Sequence, residues 1–123
     1  MNSGLASKVV VDTNSLIYSI EHRVNIRALL LELPEVKGIV VPECVHRELQ
    51  ALSGNVKFAM GALELSRQFE RIPGEGYADD CIIEVAKSGH LFVLSNDRAL
   101  LGRAKEAGIR AITIRGNRKV EFV

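Results

Sequence analysis

Of the fifteen acidic residues in the 123-residue chain, those at four places could do chemistry together: Asp12, Glu48, the doublet Asp79–Asp80, and Asp97. Taken singly, each has an ordinary structural explanation. Asp79 and Asp97 suit capping or first-turn positions favoured by the helix dipole, and Glu48 suits an exposed helix face. Asp12 resists that explanation, because it directly ends the run KVVV and so lies close to the core. Brought together, several carboxylates repel one another and cost stability, a cost that a divalent cation removes. Mg2+ and Mn2+ favour oxygen ligands. One or two such ions in a crevice can activate water and neutralise charge on a transferring phosphoryl group. No His/Cys spacing suited to zinc is present, and no basic side chain is dedicated to these roles.

The elements that must position these acids follow from the apolar pattern. Residues 8–11 form a β-branched run that suits a central parallel strand covered on both faces. Thr13, Asn14 and Ser15 can cap the helix after it, expected to reach about residue 22, and a second helix is expected over 24–33. Residues 38–41 give the next strand, with Pro42 in the first turn of a helix that carries Val45, Leu49 and Leu52 on one face. After a break at 53–55, a helix is expected over about 56–70, then a loop at 73–76, then a helix from Tyr77 or Ala78 to Gly89. Residues 91–95 and 109–114 are the third and fourth strands, with a helix over 97–108 between them. Gly116-Asn117 is expected to turn the chain into a short edge strand at 120–123.

Strands alternating with helices predict an α/β fold, a mostly parallel central sheet with helices on both faces, in one domain over residues 1–123. In such a sheet, sites form at the carboxyl ends of strands. Asp12 ends the first strand and Asp97 follows the third, so both can point into one crevice if those strands are neighbours. In the doublet, Asp79 borders the apolar face marked by Ala78, Ile82, Val85 and Ala86, whereas Asp80 points toward solvent on the side of Lys87. Asp79 is the preferred ligand, and Asp80 stays open, directly or through water.

Charge and composition bound the partners. The net charge is +1, but the stretch from Arg98 to Lys119 holds seven basic residues and one acidic residue, Glu106. A positive field beside an acidic cluster suits an anionic polymer, although a basic surface can also be only a soluble one. No run approaches the roughly 20 apolar residues needed to span a membrane, and MNSGLASK has no apolar run of a secretory signal. Cys44 and Cys81 lack metal-ligand spacing and fall inside predicted helices, so they are expected as reduced, packed residues of a cytoplasmic protein. His46 is expected at the surface or a boundary, and His90 in the turn after Gly89.

The segments VVVDTNSLI (9–17), IVVPECVHRELQAL (39–52), YADDCIIEVA (77–86) and FVLSNDRAL (92–100), in this order and covering most of the chain, resemble the PIN-domain ribonucleases. Each is weak alone; the ordered set is specific. The resemblance implies a three-layer α/β/α sandwich and Mg2+- or Mn2+-dependent hydrolysis of RNA, leaving a 5′-phosphate and a 3′-hydroxyl. It places Asp12, Glu48, Asp97 and either Asp79 or Asp80 at the family's acidic positions. Asn14, Ser95 and Asn96 match the polar residues that support them. Arg98, Arg103, Arg115, Arg118 and Lys119 are candidates for the phosphate backbone. YADD and SNDRAL look closer to the ribosomal-RNA-processing branch than to the toxin branch. The expected partners are single-stranded or structured ribosomal or transfer RNA, a second copy of the chain, and an antitoxin or RNA-processing protein.

The same residues argue against competing classes. A non-catalytic RNA-binding member would have lost acids, whereas all four positions are present. A phosphoryl-receiver domain needs an acidic pair after the first strand, where this chain has one acid followed by Thr13-Asn14, and it needs a suitably placed lysine after the last strand, which this chain lacks. Gly74 and Gly76 precede the wrong element for a dinucleotide fingerprint.

Overall fold

The computed structural model describes residues 7–116 and 118–123; Asn117, half of the expected turn, lies outside them, as does the stretch 1–6. Six strands form one sheet in the order β3-β2-β1-β4-β5-β6. They are β1 (Lys8–Val11), β2 (Gly38–Pro42), β3 (Glu70–Ile72), β4 (Phe92–Leu94), β5 (Ala111–Arg115) and β6 (Lys119–Phe122). All neighbours pair in parallel except β5 and β6, which form an antiparallel ladder at the rim. The helices are α1 (Thr13–Glu21), α2 (Ile26–Leu31), α3 (Glu43–Leu52), α4 (Ala59–Ser66), α5 (Ala78–Gly89) and α6 (Arg98–Glu106). The right-handed sense of parallel crossovers puts α1–α4 on one face of the sheet and α5–α6 on the other, the expected α/β sandwich.

The three valines of β1 are completely buried because helices cover both faces of the central strand. Around them Leu16, Leu30, Val40, Leu49, Val93, Leu94, Leu100 and Ile112 complete an aliphatic core. The chain winds outward from β1 to β2 and β3 in one direction, and from β4 to β5 in the other. The order therefore reverses between β1 and β4, which opens a crevice at their carboxyl ends. Register fixes the placement: Val11 pairs with Leu94, so Asp12 and Ser95 leave the sheet side by side.

Three expectations are corrected. The helix expected over 56–70 is shorter, and its tail becomes β3, a parallel edge strand on β2. Only Ile72 of β3 is buried, so backbone pairing makes a strand that side-chain alternation hardly marks. His46 is buried, not superficial, with 3% of its surface exposed, because it faces α4 from α3. Cys44 and Cys81 are not reduced thiols but form a disulfide. Both stand in the first turn of their helices, α3 and α5, where the two layers meet above the carboxyl edge of the sheet. Gly74 packs beneath this junction; a Cβ there would come within 2.9 Å of Pro42 and 3.1 Å of the Cys81 sulfur.

Candidate acidic active site

At the reversal point a cleft of about 150 Å3 is lined by Asp12, Thr13, Asn14, Cys44, Val45, Glu48, Ala78, Asp79, Ile82 and Asp97. Four carboxylates thus reach one cleft from β1, α3, α5 and the turn after β4. Asp12 is the innermost, only 7% exposed. As N-cap of α1, its Oδ1 accepts the Ser15 backbone N–H at 2.8 Å, and its Oδ2 accepts the Ser95 hydroxyl at 2.7 Å. Burial raises its pKa, while the bonds from Ser15 and Ser95 oppose that and the charge of Asp79 adds to it. Asp97 caps α6 through the Leu100 N–H at 3.0 Å. Its own N–H donates to the Ser95 oxygen at 3.0 Å, so one fully buried hydroxyl ties Asp12 to Asp97.

Glu48 is oriented by the Thr13 hydroxyl, which donates to its Oε1 at 2.7 Å. Asp79 makes no hydrogen bond to a described residue. Burial raises its pKa most, the charges of Asp97, Glu48 and Asp80 raise it further, and only Arg103 lowers it. Asp80 turns out of the cleft. Its side chain is 81% exposed and pairs with the Arg103 guanidinium at 2.8 Å. Of the doublet, then, Asp79 lines the cleft.

Asn14 lines the cleft, whereas Asn96 faces away. The Asn96 amide accepts from the Thr113 hydroxyl and the Ile114 N–H, at 2.7 and 2.9 Å, and donates to the Ile114 carbonyl, at 3.2 Å. That locks the turn before Asp97 onto β5. Arg98 is exposed at the start of α6, and Arg115, Arg118 and Lys119 cluster at the β5–β6 turn, on the same carboxyl edge of the sheet. Arg115 is held by Glu121 at 2.8 Å. Thr13, expected only as a capping residue, is the residue sequence reasoning missed as the orienter of Glu48. Its adjacency to Asp12 was the one available sign, and the contact spans 35 positions.

Among the described residues, no three acidic, histidine or cysteine side chains come close enough to grip an ion directly. The donor set fits a cation that keeps most of its own waters, as Mg2+ does when bound through one or two carboxylates. One oxygen of Asp97, one of Glu48 and both of Asp79 have no hydrogen-bond partner among the described residues.

A family model described as a PIN like domain matches residues 9–117. The chain belongs to the PIN-like domain family. It is 30% identical over 116 residues to Ribonuclease VapC9 of Archaeoglobus fulgidus, spanning 90% of this chain and 85% of that protein. It is 30% identical over 125 residues to Ribonuclease VapC4 of Methanocaldococcus jannaschii, spanning 94% and 95%. The PIN-like fold superposes on the structure of the PIN domain endonuclease Utp24 with a TM-score of 0.82, at 25% identity over 97% of this chain and 92% of that one. A domain of a functionally unknown Methanocaldococcus jannaschii protein shares the fold, with a TM-score of 0.64, at 24% identity over 90% and 93%. The matched stretch includes every residue that lines the acidic cleft.

Proposed function

We propose that the chain is a divalent-metal-dependent endoribonuclease that hydrolyses RNA phosphodiester bonds at the acidic cleft, in cytoplasmic RNA processing. The observation that carries this reading is the convergence of Asp12, Glu48, Asp79 and Asp97 from separate elements into one cleft, where the charges of Asp97 and Glu48 oppose ionisation of Asp79. Relatives named as ribonucleases across nearly the whole chain support it.

Asp12 and Asp97, coupled through Ser95, would be the direct ligands of Mg2+ or Mn2+; Glu48 and Asp79 would complete the shell or orient its waters. When bound, such an ion supplies a water-derived nucleophile and neutralises charge on the phosphoryl group. Thr13 fixes the Glu48 carboxylate, so the water it orients is held in one place. Arg103, anchored by Asp80, and Arg98 stand beside the cleft to hold RNA phosphates, and Arg115, Arg118 and Lys119 extend that basic edge.

The test is cleavage of end-labelled single-stranded RNA in Mn2+. EDTA, Asp12→Asn and Asp97→Asn should each abolish it with the fold intact, and the products should carry 5′-phosphates. Undiminished cleavage by both variants would falsify the site. The second reading is a toxin ribonuclease with a protein inhibitor, favoured by the VapC relatives. Growth arrest on expression, relieved by the product of a small neighbouring gene, would select it over a processing enzyme.

A further inference from the structure

Six aromatic side chains occur in the chain, two tyrosines and four phenylalanines. Five of them have a ring or cation against them: Tyr18 meets His22, Phe92 meets Phe122, Arg110 lies over Phe122, Arg27 over Phe69 and Lys57 over Phe58. Tyr77 alone has none among the described residues, and it is 87% exposed. It is also the residue immediately before Ala78 and Asp79, which line the acidic cleft. The backbone is bent to put it there. Gly76 has φ +91° and Ala78 has φ +48°, a left-handed conformation that costs a residue with a Cβ. A large exposed ring thereby stands at the N-cap of α5, one residue before the cleft lining begins and three before Asp80, which pairs with the Arg103 guanidinium of α6.

We propose that Tyr77 is a stacking platform for one unpaired nucleobase of the RNA strand that enters the cleft. The inference rests on the ribonuclease reading for its ligand. A tyrosine face takes any base, because every base has a π-face, so this contact selects single strands over duplexes without selecting sequence. Arg103, held by Asp80 in the first turn of the same helix, would meet an adjoining phosphate, so that the base on Tyr77 lies near the phosphodiester presented to the carboxylates.

The chain has no tryptophan, so Tyr77→Trp places a single reporter at the site. Binding is measured by anisotropy with a labelled 12-nucleotide unstructured RNA, in the Asp12→Asn background to prevent turnover. The tryptophan emission should be quenched on binding the single strand and unchanged with the corresponding duplex. Tyr77→Ala should weaken binding about 5- to 100-fold, Tyr77→Phe should restore it, and an RNA abasic at one position should bind the Tyr and Ala variants alike. In the otherwise native chain, Tyr77→Ala should raise KM and leave kcat nearly unchanged. Binding without quenching, equal affinity of Tyr77→Ala, or no binding of single strands overturns the proposal. Quenched binding by a chain that never cleaves in Mn2+ overturns the nuclease reading and leaves the stacking site standing. Cleavage unaffected by Tyr77→Ala does the reverse.

Discussion

Asp12 and His46 are both buried polar side chains, and the protein treats them in opposite ways. Burial disfavours the charged form of each, raising the pKa of Asp12 and lowering that of His46. Around Asp12 two donors favour the anion, although Asp79 pushes against it. Around His46, Arg71 and Arg67 push against the cation, Glu43 being the only opposing charge. The Ser66 hydroxyl donates to the Leu63 carbonyl, so it accepts from His46 Nδ1–H and leaves the neutral Nε2 with no partner. His46 is thus a packing residue between α3 and α4. Asp12 is a carboxyl group whose burial opposes ionisation while two donors are aimed at its charged form, an arrangement that suits a site built for a ligand.

The sharpest way to break this comparison is Asp12→Asn. Cleavage should fall by more than the about 10- to 100-fold typical of residues that only support ligands, while the metal-free protein should become more stable at neutral pH. Asn caps a helix as well as Asp does. Because burial raises the folded-state pKa of Asp12, folding favours its protonated form relative to the unfolded chain. The cost of the anion is therefore absent below about pH 4 and appears as pH rises through the folded-state pKa. The advantage of Asn in thermal unfolding should grow over the same range. A lower melting temperature for Asp12→Asn at pH 7 without metal would remove the distinction between the two regions.

The disulfide should give the next largest effect. It joins α3, carrying Glu48, to α5, carrying Asp79, and the charge of Glu48 acts against that of Asp79. Replacing both cysteines by serine should cost about 2–4 kcal/mol in denaturant unfolding, given the 37-residue separation. The same loss should follow incubation of the native chain with a thiol reductant, and a midpoint indifferent to both would show that the helices hold without the bond.

Ser95→Ala sharpens the acidic side. It removes the hydroxyl shared by Asp12 and Asp97 and should lower cleavage about 10- to 100-fold with the fold retained. His46→Leu should matter least. It deletes the orphaned nitrogen, and Ser66 keeps its bond to Leu63, so unfolding should shift by less than about 1 kcal/mol and cleavage should be unchanged. A large loss of activity in His46→Leu would move His46 from packing to function.

The central strands and the acids after them were legible because β-branched runs and the residues ending them carry side-chain signals: KVVV followed by Asp12, and FVL followed by Ser95 and Asp97. The pairing of β1 with β4, on which the crevice depends, was a condition in the sequence and a fact in the sheet. What escaped depended on contacts between distant positions. The Thr13–Glu48 bond, the Cys44–Cys81 junction and the burial of His46 against Ser66 all arise where helices meet. β3 escaped because Glu70 and Arg71 face solvent and its structure rests on backbone pairing with β2. The Asp79–Asp80 choice was legible as a direction on a helix wheel, but the Arg103 partner that draws Asp80 outward was not.

β3 has a consequence for how molecules of this protein meet. An open rim on a parallel sheet is a template on which another chain can add strands and begin a fibre. Here the rim is three residues long, and its charged side chains are engaged, Glu70 by Lys8 at 2.7 Å and Arg71 by Glu43 at 2.8 Å. At the opposite rim β6 turns antiparallel and places Glu121 against Arg115. The sheet therefore offers an incoming strand little backbone and much fixed charge at either border, which protects a valine-rich interior from polymerising at high concentration.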